Sequence, residues 1–93
     1  MLTLDSTLRI PETSLSTTVD GEVVLLNARM NQYFALDDAG ARIWTLLGGG
    51  NSLRAIHKQL LAEYQVDGAV MEQDMLELVR NLLENGLVEL VGQ

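Results

Sequence analysis

Ninety-three residues, 47% hydrophobic and 20% charged, suffice for one modest hydrophobic core and exclude a disordered or fibrous chain. With no cysteine and a single histidine, His57, the chain has no disulfide framework, no thiolate or histidine-rich metal site and no cysteine nucleophile. Thirteen acidic residues against six basic ones give a net charge of −7, which opposes binding to nucleic acid or anionic membrane.

No apolar run approaches the roughly 20 residues that span a bilayer. The N-terminus, with Asp5 and Ser6 early, lacks the basic start and apolar stretch of a signal peptide. The expected address is the cytoplasm. Residues 1–13 have no clear period, and Pro11 blocks helix continuation there. They are expected to form a loosely ordered N-terminal arm, with residues 14–93 as a single domain.

Ser14 to Val19 alternates and is β-compatible, and the Asp20-Gly21 dipeptide after it supplies the positive φ angles of a two-residue hairpin turn. Glu22 to Asn27 is the next expected strand. Ala28 to Asn31 connects it to a third, Gln32 to Leu36. The expectation is a three-stranded antiparallel meander. Two faces emerge from that register: Val23, Leu25, Phe34 and Leu36 on one, Val24, Leu26, Tyr33 and Ala35 on the other. Both are apolar, so periodicity does not say which is core.

The period then becomes helical. Asp37-Asp38 caps a helix from about Ala39 to Leu47, with Ile43, Trp44 and Leu47 as its apolar stripe. Gly48-Gly49-Gly50 ends it. Asn51 or Ser52 caps a second helix to about Tyr64, and a third runs from about Ala69 to Glu84, closed by Asn85-Gly86. Leu87 to Val91 is apolar and β-prone. The fold class is α+β: three strands, then three helices, in the outline of a winged helix-turn-helix.

That outline usually accompanies DNA binding, and the charges argue against it. The third helix would enter the major groove and would need basic residues. It carries Glu72, Asp74, Glu77 and Glu84 against Arg80 alone. From Glu63 onward there are seven acids and one base, whereas residues 1–62 hold six acids and five bases. The acidity lies on the half that would meet DNA.

Catalysis has as little support. His57 sits at i+4 from Leu53 and i−3 from Leu60, beside the apolar stripe of the second helix, where a half-buried structural histidine accounts for it. Asp37 and Asp38 are accounted for by capping. The glycine triplet lacks the lysine and Ser/Thr that complete a phosphate loop. The expectation is no catalytic residue, no metal and no cofactor.

The surface of the third strand is more informative. Gln32, Tyr33, Phe34, Ala35 and Leu36 include no proline or charge, whereas soluble proteins usually guard an edge whose free N–H and C=O groups template pairing. Either another segment, a helix or residues 87–91, covers this edge, or pairing with a guest is intended. The first strand, preceded by Pro11 and the arm, has a segment available to cover it. On the third helix, Met75, Leu78 and Leu82 fall within about 40° of Met71, and Leu76, Val79 and Leu83 widen the arc to roughly 160°. One part of that arc can face the core while another lines a groove, for which flexible methionines are suited.

The stretch Asp20 to Glu89 resembles the precursor-peptide recognition elements of ribosomally made, post-translationally modified peptides, whose relatives include the small chaperone of pyrroloquinoline-quinone synthesis. The resemblance is carried by Val23 to Leu26, then Tyr33-Phe34-Ala35-Leu36. It continues through Ala39-Gly40-Ala41-Arg42-Ile43-Trp44, Leu47, the glycine turn, Tyr64, Asp74-Met75, Leu78, Leu82 and Gly86-Leu87-Val88. The short stand-alone form and the first helix look most like the leader-binding protein of lasso-peptide pathways. Asn31 stands where a glycine is usual and Asp37 where asparagine is common; Asn adopts the left-handed region readily and Asp caps as Asn does.

The resemblance implies a non-catalytic adaptor. The leader segment of a precursor peptide would add to the third strand as a further antiparallel strand, its side chains entering the cleft against the third helix. The implied peptide-binding residues are Gln32, Tyr33, Phe34, Ala35, Leu36, Met71, Asp74, Met75 and Leu78. The implied partners, beside the leader, are a separate leader peptidase and a separate ATP-dependent cyclase. A carrier of a modified small molecule, as in the quinone pathway, and a winged-helix regulator are the other functions compatible with this outline.

Overall fold

A computed structural model describes residues 2–91. Its elements in chain order are β1 (Leu8–Arg9), β2 (Ser14–Val19), β3 (Glu22–Asn27), β4 (Gln32–Leu36), α1 (Asp38–Gly48), α2 (Leu53–Glu63), α3 (Gly68–Glu84) and β5 (Glu89–Leu90). Strands β2, β3 and β4 form the antiparallel meander in that spatial order, followed by the three helices. The α+β architecture is the one expected.

Local chemistry explains each boundary. Asp20 (φ 52°) and Gly21 (φ 83°) both occupy the left-handed region, as a two-residue turn between β2 and β3 requires. Asn31 (φ 55°) does the same in the connection to β4. Each helix begins with a side chain accepting from its first-turn N–H groups: Asp37 from Gly40, Ser52 from Ala55, and Asp67 from Ala69 and Val70. Gly86 (φ 69°) completes the end of α3, where Leu87 N–H donates to Leu82 O at 2.9 Å.

One face of the sheet packs on the helices. Leu25 and Leu36 are buried, with Val23 and Phe34 half-buried beside them. This settles the ambiguity between two apolar faces, and Val24, Leu26, Tyr33 and Ala35 lie on the outer side. Ile43, Trp44 and Leu47 of α1, Leu53, Ile56 and Leu60 of α2, and Met71, Met75, Val79 and Leu82 of α3 complete the core. Each such large side chain stabilises the fold by about 1.5–3 kcal/mol relative to exposure.

The expected N-terminal arm makes specific contacts through its described residues, 2–13. Leu8 is buried, and Leu2, Leu4 and Ile10 pack against the core. Strand β1 pairs with β5 through Leu8↔Leu90 and Arg9↔Glu89. Leu53 N–H and Arg54 N–H donate to Ser6 O (3.1 Å) and Leu4 O (2.7 Å), and Arg54 Nε donates to Asp5 Oδ1 at 3.0 Å. The arm thus lies along the start of α2 and beside the C-terminal strand rather than over the edge of β2. Its apolar residues have no common period because each is anchored in a different place.

Candidate functional site

Pairing β1 with β5 has a consequence for β4. The C-terminal segment that was a candidate cover for the third strand is engaged elsewhere, and β4 has a single strand neighbour, β3. Its far edge is unpaired among the described residues.

The hydrogen-bonding parity of that edge follows from the hairpin. In a two-residue hairpin the closing pair, here Val19↔Glu22, exchanges both backbone bonds, and such pairs then alternate along the ladder. Glu22, Val24 and Leu26 therefore point their N–H and C=O groups toward β2. Ala28 N–H, on the same parity, donates to Thr13 O at 2.8 Å. Val23, Leu25 and Asn27 turn toward β4, where they oppose Leu36, Phe34 and Gln32. The backbone groups of Tyr33 and Ala35 are left facing outward.

Beside this edge lies a cleft between the start of α1 and the first half of α3. A hollow of about 210 Å³ there is lined by Asp37, Gly40, Ile43, Met71, Asp74 and Leu78, among others. Gly40 permits the close approach of α1 to the end of β4: a Cβ at this position would meet Leu36 Cδ2 at 3.3 Å and Asp37 Oδ1 at 3.1 Å. Asp37, an exposed residue, accepts from Gly40 N–H through Oδ1 at 2.7 Å. Asp74 is exposed and Leu78 half-buried.

The end of α3 is tied to the sheet by Asn27, a polar side chain only 3% exposed. Its Nδ2 donates to Asn85 O at 2.7 Å, and its Oδ1 accepts from Arg29 N–H (3.1 Å) and Met30 N–H (3.3 Å). One side chain thus ties the β3–β4 connection to the end of α3.

The residues expected at the site divide accordingly. Gln32 to Leu36 form the free edge, with Phe34 and Leu36 turned inward. Tyr33, 71% exposed, lies on the opposite face of the sheet and lines a shallow apolar hollow with Leu15, Thr17, Val24 and Leu26. Met71, Asp74 and Leu78 line the cleft. Met75 does not: at 0% exposure it is core beneath the cleft and presents no surface to a guest. It lies on the inner part of an apolar arc too wide for its two edges to be told apart by spacing.

Asp37, Gly40 and Ile43 were not expected in the site. Asp37 was accounted for by its cap and Ile43 by its stripe, and only the approach of α1 to α3 gives them a second role. His57, half-buried, donates through Nε2 to Gly68 O at 2.8 Å and so links α2 to the start of α3, away from the cleft. Among the described residues, no group of three or more His, Cys, Asp or Glu side chains forms a potential metal site. No helix among them is long and apolar enough to cross a membrane.

Residues 22–88 match the family model described as coenzyme PQQ synthesis protein D (PqqD). The chain belongs to this family. Two solved structures share the fold of this PqqD-family chain. One is described as TbiB1 in complex with the TbiA(beta) leader peptide; it is 38% identical, with a TM-score of 0.79 over 91% of this chain and 96% of that one. The other, lasso peptide synthetase B1 complexed with the leader peptide, is 32% identical, with a TM-score of 0.80 over 88% and 96% of the respective chains. A search of curated proteins finds no match.

Proposed function

We propose that this protein is a non-catalytic adaptor of lasso-peptide biosynthesis that binds the leader segment of a precursor peptide by strand addition to β4. The reading is carried by the outward-facing backbone of Tyr33 and Ala35 beside the α1–α3 cleft, in a fold shared with a 38%-identical protein solved with a leader peptide. An antiparallel guest strand would exchange backbone bonds with those two residues and extend the sheet to four strands. Its side chains would alternate. Those opposite Phe34 would enter the cleft over Ile43, Met71 and Leu78, and those opposite Tyr33 and Ala35 would join the outer apolar face.

Bound this way, the leader holds the rest of the precursor outside the domain, within reach of a separate leader peptidase and a separate ATP-dependent cyclase. This role is cytoplasmic. It needs no cofactor or catalytic residue in the adaptor. Titration of the purified protein with a fluorescent copy of the leader peptide bound by the 38%-identical relative tests the reading. Saturable binding that is abolished by excess unlabelled leader, with no competition from a scrambled sequence, is the expected result. No binding by a folded protein would overturn it.

A further inference from the structure

We infer that the outer edge of β2 docks a second copy of this chain, the two β2 strands pairing antiparallel about a twofold axis at Thr17. Strand β2 has β3 as its single strand neighbour among the described residues, and the N-terminal arm before it is anchored on α2 and β5 instead of along it. Ser14 to Val19 contains no charge and no proline, the residues with which soluble proteins usually guard an edge.

The ladder decides which backbone groups are free. Leu15 and Thr17 oppose Leu26 and Val24, on the parity of the closing pair Val19↔Glu22, and so bond to β3. Ser16 and Thr18 point their N–H and C=O groups outward, and among the described residues neither takes part in a backbone bond elsewhere. Their side chains lie on the helical side of the sheet, opposite Leu25 and Val23, yet both residues are exposed: no helix stands over this edge. On the outer side, Leu15 and Val19 are 51% and 52% exposed, and Leu15 and Thr17 border the apolar hollow shared with Val24, Leu26 and Tyr33.

These features are complementary to themselves. With Thr17 on the axis, Ser16 faces Thr18 of the second copy and Thr18 faces its Ser16. Each pair exchanges both backbone bonds and brings two hydroxyls within reach of each other. Leu15 then faces Val19 of the second copy, so both exposed apolar side chains are covered. Neighbouring registers are poorer. One asks Ser14 N–H for a bond that it already gives to Pro11 O at 3.0 Å, and the other sets Ser16 against Asp20, in the turn with φ 52°. The twofold contact is closed, brings no like charges together within the paired strands, and leaves both β4 edges at the outer ends of the joined sheet. An edge of six residues lies at the low end of interface sizes, about 1,000 Å² or less, and a net charge of −7 on each copy opposes association. The dimer is therefore weak, with a Kd on the order of 0.1 mM.

Sedimentation velocity of the full chain between about 10 µM and about 1 mM should show a reversible monomer–dimer equilibrium. Ser16→Pro removes no bond within the sheet and should weaken dimerisation by about tenfold or more. Ala35→Pro, on the other edge, should leave it unchanged. Cysteine substitution reads the register, since the chain has no cysteine of its own. Thr17→Cys sits at a non-hydrogen-bonded pair on the axis, where Cβ atoms come within disulfide distance. It should cross-link under mild oxidation about tenfold or more faster than Val70→Cys, an exposed position on α3. An equal mixture of Leu15→Cys and Val19→Cys should cross-link faster than either alone. A protein that stays monomeric across this range, or a Thr17→Cys variant that cross-links no faster than Val70→Cys, would overturn the inference and leave the β2 edge to a chain of different sequence. Dimerisation lost in Ala35→Pro and kept in Ser16→Pro would overturn it too, by placing the contact at β4.

Discussion

Ala35→Pro isolates the backbone contribution of the β4 edge. Ala35 is exposed, its strand conformation accommodates the φ of proline, and its N–H points away from β3, so the substitution removes no hydrogen bond within the sheet. Toward a guest it removes one donor and places a ring methylene where the guest carbonyl would approach. A lost hydrogen bond costs about 0.5–1.5 kcal/mol net, and the steric block raises the total to roughly 1–3 kcal/mol. Leader affinity should fall by about ten- to a hundredfold, measured by fluorescence anisotropy on protein whose circular dichroism and melting match the wild type. Tyr33→Pro should behave alike, because Tyr33 and Ala35 share one parity. Phe34→Pro, by contrast, removes a bond to Leu25 and should destabilise the free protein. Amide exchange checks the same alternation without mutation. Phe34 and Leu36 should be protected before leader is added, whereas Tyr33 and Ala35 should become protected only afterwards. If Ala35→Pro binds leader as wild type does, or if Tyr33 and Ala35 are already protected in the free monomer, strand addition to β4 is wrong.

His57→Gln should leave leader affinity within a few-fold of wild type in the same anisotropy assay, since the imidazole contacts Gly68 O away from the cleft; its cost, about 0.5–1.5 kcal/mol, should appear in urea unfolding instead. Asn27→Ala leaves Asn85 O and two turn N–H groups without their partner and should cost roughly 1–3 kcal/mol in the same unfolding experiment, with weaker leader binding as the turn that leads into β4 loosens. Glu63 accepts from Arg42 Nε and Nη2 at 2.8 and 2.6 Å and from Gln59, in that order of influence, which lowers its carboxyl from 4.5 to about 2. The folded state thus favours the charged form. The contribution of this pair is fully present above pH 4.5 and is lost as pH falls through 2, and Glu63→Gln should flatten that part of the stability–pH profile.

Most of the fold was legible because its signals are local. Asp20-Gly21 admits few turns, Asp37 and Ser52 each cap a helix, and Gly86 fits the left-handed end of α3. The N-terminal segment was not, because two-residue strands and scattered leucines carry no period; Leu8 is recognisable as core only once β5 lies beside it. The unpaired edge of β4, the basis of the candidate site, was legible in the strand itself, where the absence of guard residues is a sequence property. Its far wall was harder to read. Met71 and Met75 stand one turn apart on the same stripe, and tertiary packing alone decides that Met71 borders the cleft while Met75 is enclosed. The face of Tyr33 was likewise undetermined, since both sides of the sheet are apolar.

Strands β2 and β4 each have one strand neighbour, β3, so both outer edges of the sheet are unpaired among the described residues, and specific residues engage the β-prone segment after α3 away from them. Leu87 to Val91 is the only apolar run left after α3, and it is diverted to β1: Leu8 pairs with Leu90, Val91 N–H donates to Thr7 O at 2.9 Å, and Ser14 Oγ donates to Leu87 O at 2.8 Å. Gly86 turns the chain into that path, at a point where a Cβ would meet Asn27 Nδ2 at 2.9 Å. Gly86 and Asn27 therefore act together: the glycine yields the space in which the amide reaches Asn85 O, and the amide holds the end of α3 against the β3–β4 connection. The C-terminal segment that could pair with β4 is thus held by β1 instead. Gly86→Ala, strained in φ and in contact with that amide, should disturb both functions at once, whereas a surface change on β5 such as Glu89→Gln should disturb neither.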